Sequence, residues 1–190
     1  MVRIKPAEEA DTVQAVTRAL MILELLAGAE GPLSLSEVAQ RLDLKLTTAH
    51  RLLSTLVAHG FAEQEALTQR YRLGIKAIEI GNAALASTEI RTIARPYLRE
   101  LVDRLNETVN LAVLDDGEVV YIDQIESTQI VIVKMFARIG SRGPAHCTGS
   151  GKVLLAGLSD EELVRVLEKM PLSRFTERTI VDRVALLREI

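Results

Sequence analysis

Two short stretches with helical spacing, separated by three residues, constrain the fold of this chain most. In the first, Ser34 and Glu37 have the spacing of a capping box, and apolar residues then recur at helical intervals as far as Leu42. The second covers 46–59, and its apolar stripe stops at Gly60. Two helices of this length joined by so short a turn predict a helix-turn-helix.

The flanking segments predict a winged form of this motif. Apolar residues recur with helical spacing over 12–28, which predicts a first helix. Residues 61–63 and 70–73 flank a polar stretch, a pattern typical of a short hairpin that would form the wing. We therefore expect a winged helix-turn-helix domain over 12–74, preceded by a flexible arm over 1–11.

The second half of the chain has a mixed pattern of helices and strands. Residues 75–92 predict a linker helix, and Arg95-Pro96 is typical of a helix entry. Two apolar runs joined by Asp115-Asp116-Gly117-Glu118 predict a hairpin, because Asp-Gly favours the tight turn. Further predicted elements are a strand at 129–136, a loop over 140–151, and helices from about Lys152, from Ser159 and from Thr179. The expected fold class is α+β, with a mixed α/β second domain over 93–190.

Composition limits the function classes. The uncharged apolar runs are too short to span a bilayer, and no basic segment precedes an apolar one at the start, so we expect a cytoplasmic protein. The single cysteine, Cys147, excludes an internal disulfide and a multi-cysteine zinc site, so no metal is expected. No cofactor is expected either. A net charge of −3 is not typical of a nucleic-acid binder, but residues 40–72 hold five basic residues against three acidic ones.

The outer face of the third helix predicts where DNA would be contacted. With the apolar stripe buried, most residues left outside are hydrogen-bond donors, which suit phosphates and base edges. We expect Lys45 and Arg51 at phosphates, Thr47 and His50 at bases, and Arg70 of the wing at the backbone or minor groove. The alternative is a merely solvated face, and Arg18 is either a phosphate contact or a structural ion pair. The candidate DNA-binding residues are Arg18, Lys45, Thr47, Thr48, His50, Arg51 and Arg70.

Seven motifs stand in an order and spacing that resemble the IclR family of bacterial transcription regulators, from about Val13 to Ile190. They are VQAVTRALMILELLA, PLSLSEVAQRLDLKLTTAHRLLSTLVAHGF, YRLG, ARPYLREL, ETVNLAVLDDGEVVYID, GPAHCTGSGKVLLAGL and FTERTIVDRVALLREI. The resemblance implies a winged-helix domain that dimerises through its first helix and the linker. It also implies a GAF-like effector domain with a curved sheet and a pocket for a small, often carboxylated or aromatic metabolite. Because family effector domains continue past the equivalent of Ile190, we expect 93–190 to be the N-terminal part of a truncated domain.

Two positions in the helix-turn-helix depart from the family pattern. Asp43-Leu44-Lys45 stands where the family usually has Gly-Leu-Pro, and Leu46 stands where a basic residue is frequent. We expect a buried or capping role for Asp43.

The loop GPAHCTGSGKV has three interpretations. A phosphate loop would need glycine at 146 and serine or threonine at 153, so it is rejected. A His146–Cys147 nucleophile pair is disfavoured because sequence neighbours point apart, so no enzyme is expected. The third is effector binding, since a Gly-rich turn at a helix start offers N–H groups to a carboxylate, and the resemblance points to Gly149 and Ser150. The candidate effector-binding residues are Leu111, Val113, Tyr121, Met135, Cys147, Thr148, Gly149 and Ser150, and those expected to form the pocket walls, 111 to 148, could equally be ordinary core.

The expected function is a sequence-specific DNA-binding transcription regulator, a repressor, controlled by a small metabolite. Its partners would be double-stranded DNA with a palindromic operator, the effector, and a second copy of the chain in a dimer or a pair of dimers. The alternative is a metabolite-binding or assembly module without regulatory DNA contact. The near-neutral charge of residues 1–74 and the apolar Leu46 favour that alternative.

Overall fold

The computed structural model describes residues 12–127 and 138–190. Two compact units make up the chain, one ending at Ala84 and the other beginning at Leu85. The expected arm over 1–11 and the expected strand over 129–136 lie outside the described residues. Within the described ranges, no helix is both long and apolar enough to cross a membrane.

In the first unit, three helices are followed by an antiparallel hairpin, which confirms the predicted winged helix-turn-helix. The elements are α1 (Gln14–Ala27), α2 (Leu35–Arg41), α3 (Leu46–Ala58), β1 (Ala62–Gln64) and β2 (Tyr71–Leu73). The predicted capping box is present, because the Glu37 N–H donates to the Ser34 hydroxyl and the Ser34 N–H donates to the Glu37 carboxylate. The capping box therefore lies at the start of α2, where the sequence predicts it.

A single apolar core holds these elements together. Ile22 of α1, Val38 of α2 and Leu53 of α3 are fully buried, and Tyr71 of β2 is nearly so. Complete burial of a side chain of this size contributes about 1.5–3 kcal/mol. Because each element contributes to the same core, α3 has one fixed face toward it.

The turn between α2 and α3 is a Schellman motif with Asp43 at its centre. The Leu44 N–H donates to the Ala39 carbonyl at 2.8 Å, and the Asp43 N–H donates to the Gln40 carbonyl at 3.3 Å. Asp43 has a φ of 50° and an exposed side chain. The expected burial of Asp43 is therefore wrong, and its capping role is performed by its backbone N–H at the end of α2. This position needs the left-handed backbone conformation that glycine adopts most readily.

The linker helix is present but shorter than expected. The helix α4 covers Ile75–Ala86, and α5 begins at Glu89 and runs to Leu105, so the expected range 75–92 contains a break at 87–88 and the start of α5. The expected helix entry at Arg95-Pro96 is wrong, because Pro96 lies inside α5. Pro96 is exposed and has no backbone N–H, so α5 lacks one backbone hydrogen bond there, but the helix continues on both sides of it.

The second unit contains a three-stranded antiparallel sheet in the order β3-β4-β5. Its strands are β3 (Val109–Asp115), β4 (Glu118–Ile125) and β5 (Arg142–Pro144). Asp116 and Gly117 both have positive φ, 52° and 77°, so the predicted Asp-Gly turn is a type I′ hairpin turn. The expected loop over 140–151 is wrong in part, because it contains β5, a 3₁₀ turn and the first residues of α6.

Three further helices of the second unit follow in the described range 138–190: α6 (Gly149–Ala156), α7 (Asp160–Lys169) and α8 (Arg183–Glu189). Val119 of β4 is buried with Leu155, Leu167 and Leu186, one from each helix. The predicted capping box of Ser159 and Glu162 is present at the start of α7. Asp182 caps α8, so this helix begins at Arg183, directly after the segment 179–182 in which its start is predicted.

Gly151 lies where α6 passes against the 3₁₀ turn. A Cβ at this position would overlap the carbonyl oxygen of Ala145, whereas a Cβ at Gly149 would meet open space. The close approach of the two segments therefore depends on glycine at 151 and not at 149.

We expect Asp43→Gly to raise the free energy of unfolding of the first unit by about 0.5–1 kcal/mol, because glycine adopts the left-handed conformation without a Cβ penalty. Amide hydrogen exchange of the α1–α3 core measures this change. The matched variant Asp43→Ala keeps the Cβ but loses the short polar side chain that tolerates this conformation, so it should lower the same free energy. Equal protection in both variants would contradict the assignment.

We expect Gly151→Ala to destabilise the second unit by about 1–3 kcal/mol, since the new methyl group must displace backbone. The control is Gly149→Ala in the same helix. It should raise the free energy of unfolding of the second unit by no more than about 1 kcal/mol, because alanine favours the helix more than glycine does. Urea unfolding followed by methyl signals of Leu155 and Leu186 measures both. A Gly151→Ala protein as stable as the control would refute the close packing.

The Ser34 N–H and hydroxyl hydrogen bonds, aided by Arg70, hold the pKa of Glu37 below its ordinary value of 4.5. A carboxyl with a lowered folded pKa stabilises the fold above the unfolded value and loses that contribution as the pH falls through the folded value. The free energy of unfolding of the first unit should therefore fall more steeply between about pH 5 and about pH 3 in the native chain than in Glu37→Gln. Parallel pH profiles from urea unfolding would contradict this expectation.

Candidate functional site

The outer face of α3 presents a row of polar side chains to solvent. Ala49, Leu53 and Leu56 are buried, and the opposite side of the helix therefore carries Thr47 and Arg51, one turn apart. Ser54 continues this row, and His50 is exposed beside it. The helix contains no acidic residue, so the polar groups on its exposed face are hydroxyls, an imidazole and one fixed positive charge.

The N-terminal end of α3 combines a cation with an apolar residue. Lys45 is the N-cap residue, its backbone is extended, and its side chain is exposed. Leu46 follows as the first helical residue with 53% of its surface exposed. Helix N-termini favour anions, because their first N–H groups lack partners within the helix. This end of α3 can therefore accept a phosphate beside an apolar contact.

Arg70 is held inside the first unit rather than extended from the wing. Its guanidinium donates to the Pro32 carbonyl at 2.9 Å and lies 3.2 Å from the Glu37 carboxylate. Arg72, on β2, pairs with Glu63 across the hairpin at 3.1 Å. Arg70 thus connects the wing to the α1–α2 loop and to α2, whereas Arg72 pairs within the wing, and 44% of the Arg70 side chain is still exposed.

The remaining two candidates for DNA contact lie off this face. Thr48 is on the flank of α3 and is half-buried. Arg18 lies on α1, which packs against α3 and β2, and it is also half-buried. The structure therefore brings Lys45, Thr47, His50 and Arg51 onto one helix and leaves Arg18 and Arg70 on other elements.

The start of α6 carries three of the effector candidates. Thr148 is the N-cap residue, and its hydroxyl accepts from the Gly151 N–H at 3.2 Å while donating to the Pro144 carbonyl. Gly149 and Ser150 form the first turn and are exposed. One donor of this helix end is therefore already satisfied by the cap, and the exposed first turn is the part open to a ligand.

The neighbouring His146 and Cys147 have separate partners. The ring of His146 is buried and its Nε2 donates to the Ser173 carbonyl at 2.9 Å. The Cys147 thiol donates to the Pro144 carbonyl at 3.8 Å. Burial raises the pKa of this thiol, and the positive charge of the nearby Lys152 lowers it by a smaller amount. A thiol with a raised pKa stays protonated at neutral pH and is a weak nucleophile.

The strand candidates do not share one face of the sheet. Tyr121 of β4 packs with Ala112 against the core beneath α6, α7 and α8. Leu111 and Val113 alternate with the residues of β3 that face this core, so their side chains point to the opposite face. Met135 lies outside the described residues.

Neither of two cavities in the described ranges is lined by an effector candidate. One of about 380 Å³ lies in the first unit, between the α1–α2 loop and Arg70. The other, of about 170 Å³, lies in the second unit and is lined by Leu85, Ala86, Arg91, Thr92 and Arg95.

The sequence prediction missed a buried charge cluster beside the second cavity. Asp123 of β4 is fully buried, and both Arg91 and Arg95 of α5 lie within 3.4 Å of its Oδ2 atom. The signal available in the sequence was an aspartate within an apolar strand, which needs a buried cationic partner. Its partners are far away in the sequence, so the strand pattern alone could not identify them.

Comparison with protein families matches both units. A model of the IclR helix-turn-helix domain matches residues 15–66, and a model of the C-terminal domain of bacterial IclR transcriptional regulators matches 82–190. The transcriptional repressor IclR of Escherichia coli K12 is 38% identical over 180 residues, with 94% of this chain and 65% of that protein covered. The acetate operon repressor of Salmonella typhimurium is 38% identical over 172 residues, with coverage of 90% and 62%. The chain thus spans less than two thirds of the length of these relatives.

Solved structures show the same similarity. The crystal structure of the Thermotoga maritima IclR has a TM-score of 0.65 and 33% identity, covering 92% of this chain and 69% of that one. An IclR homologue from Microbacterium hydrocarbonoxydans, in complex with 4-hydroxybenzoate, has a TM-score of 0.77 and 29% identity, covering 92% and 71%. Since the C-terminal family model alone matches more than half of the residues, this chain belongs to the IclR family of bacterial transcriptional regulators.

Proposed function

We propose that this chain is a sequence-specific DNA-binding transcription regulator, and that it acts as a repressor controlled by a small metabolite. The observation that carries the proposal is the outer face of α3, where donors and hydroxyls are exposed without any acidic residue. In helix-turn-helix proteins the second helix of the motif enters the major groove. Repression is favoured because several relatives are named as repressors.

The exposed side chains of α3 suit distinct parts of the DNA. Arg51 and Lys45 would neutralise phosphates, which position the helix. Thr47 and His50 would reach base edges in the major groove. Leu46, exposed at the start of the helix, suits the methyl group of a thymine, an apolar feature of the same groove. The apolar residue at this position is therefore compatible with DNA readout.

A homodimer on a palindromic operator is the arrangement we infer. Val13, Val16 and Leu20 are exposed at three- and four-residue intervals along the first helix, and Ile75 and Ile78 are exposed on α4. Exposed apolar rows of this kind mark contact surfaces between protein chains. A twofold dimer would present its two copies of α3 to successive major grooves, about 34 Å apart.

Effector binding is proposed at the exposed start of α6. Gly149 and Ser150 would offer backbone N–H groups to a carboxylate. Thr148 caps the same helix and Cys147 precedes it, whereas Tyr121 packs against the core that contains Leu155 of this helix. The homologue crystallised with 4-hydroxybenzoate supports a small carboxylated ligand. The candidates Leu111 and Val113 point to the other face of the sheet and are not part of this proposed site. Binding could alter DNA affinity only if the ligand prefers one of two dimer arrangements.

We infer that the chain has no enzyme activity of its own. A catalytic pair would need His146 and Cys147 to hydrogen-bond with each other, but each donates to a different backbone carbonyl. The raised pKa of the Cys147 thiol supports the same inference.

The decisive test is fluorescence anisotropy of the full chain with DNA from upstream of its own gene, titrated with salt beside an unrelated duplex. We expect a clear preference for its own DNA. The double variant Lys45→Gln/Arg51→Gln should bind more weakly and should lower the magnitude of the salt slope by about 2, because two phosphate contacts are lost.

The matched control is Arg99→Gln/Arg104→Gln, which removes the same charge from exposed positions of α5. This control should bind the operator like the native chain. Equal loss of binding in both double variants would show a net-charge effect and refute the role of α3. Equal weak binding of the native chain to both duplexes would instead favour the metabolite-binding or assembly module.

A further inference from the structure

The cavity of about 170 Å³ in the second unit is lined by both guanidinium and apolar groups. Arg91 and Arg95 lie one turn apart on α5, with Thr92 between them, and Leu85 and Ala86 form the wall contributed by the end of α4. Its volume is about 170 Å³, whereas one water occupies about 30 Å³. The cavity is therefore large enough for a few waters or one small ion, and too small for a drug-sized ligand.

The hydrogen bonding of this cluster is incomplete. The Arg91 Nε atom lies 3.2 Å from Asp123 Oδ2, and the Arg95 Nε atom lies 3.4 Å from the same oxygen. In the part of the chain that the structure describes, neither the buried Arg91 Nε nor the buried Asp123 Oδ2 has a hydrogen bond of good geometry. A buried donor without a partner is unfavourable, so the cavity beside Arg91 favours an acceptor.

The charges of the cluster are also unbalanced. Two guanidinium groups face the single carboxylate of Asp123, which leaves one positive charge at the cavity. One ligand with a single negative charge would neutralise the cluster, whereas a doubly charged anion would leave an excess of negative charge. Guanidinium groups bind planar carboxylates through two parallel hydrogen bonds. The apolar wall of Leu85 and Ala86 suits a short alkyl group.

We propose that the cavity between the end of α4 and the start of α5 is a binding site for a short monocarboxylate, held by Arg91, Arg95 and Thr92. The carboxylate accepts hydrogen bonds from the two arginines and from the threonine hydroxyl, and its alkyl end lies against Leu85. This site is separate from the proposed effector site at the start of α6, and it involves none of the residues proposed to bind DNA. Its existence therefore does not depend on the proposed function.

The test uses sodium acetate as the probe and the full chain labelled with ¹⁵N, at constant ionic strength maintained with sodium chloride. We expect saturable shifts of the Nε–H signals of Arg91 and Arg95 and of backbone amides over 85–95. Shifts confined to 147–151 would mean that acetate occupies the proposed effector site only, and would overturn the proposal. Sulfate that shifts the same signals with equal affinity would also overturn it, because sulfate is a dianion and the charge balance requires a monoanion.

Three variants connect the shifts to the cavity. Arg95→Gln should weaken acetate binding by about tenfold, because one charged hydrogen-bond donor is lost from a half-exposed position. Arg99→Gln, on the exposed side of the same helix, should leave the affinity unchanged. Thr92→Val, which keeps the shape of the side chain without the hydroxyl, should weaken binding by a smaller factor, with the amide spectrum verifying the fold of each variant. Equal affinity in Arg95→Gln and Arg99→Gln would refute the site.

Discussion

The burial of one side of α3 determines which residues of this helix the first unit exposes to solvent. Ala49, Leu53 and Leu56 enter a core to which α1, α2 and β2 also contribute, and the 3.6-residue period of the helix then places Thr47 and Arg51 on the opposite side. No rotation of α3 can bury the polar row without exposing this apolar stripe. The orientation of the polar face is thus a consequence of packing, and the polar residues themselves do not need to stabilise the fold.

Elements with strong local signals were predictable from the sequence. The capping boxes at Ser34 and Ser159 and the Asp-Gly turn at 116–117 satisfy backbone groups within a few residues, so their outcome depends little on the rest of the chain. Pro96 is different, because α5 packs against the sheet and that packing outweighs the loss of one helical hydrogen bond. Tertiary contacts therefore override a local rule in this helix.

The site was predictable to the extent that it follows from helical periodicity. The exposure of Lys45, His50 and Arg51 required only the apolar stripe of α3. The partners of Arg70 could not be predicted, because Pro32 and Glu37 approach it only after the hairpin folds back onto the helices. The same applies to Asp123, whose arginine partners lie about thirty positions earlier in the chain. Periodicity indicates which side chains are exposed, and long-range packing determines which of them are already engaged.

The internal ties of Arg70 affect how such a protein would search a genome. An arginine that holds the Pro32 carbonyl and Glu37 is less available to phosphates, and the chain as a whole carries a net charge of −3. Non-specific affinity for DNA arises almost entirely from neutralised phosphates. A regulator with this charge distribution would slide along random DNA only briefly and would spend more of its search in free diffusion. Under the proposed function, the selection of an operator would then depend on base contacts made by a short row of residues on one helix.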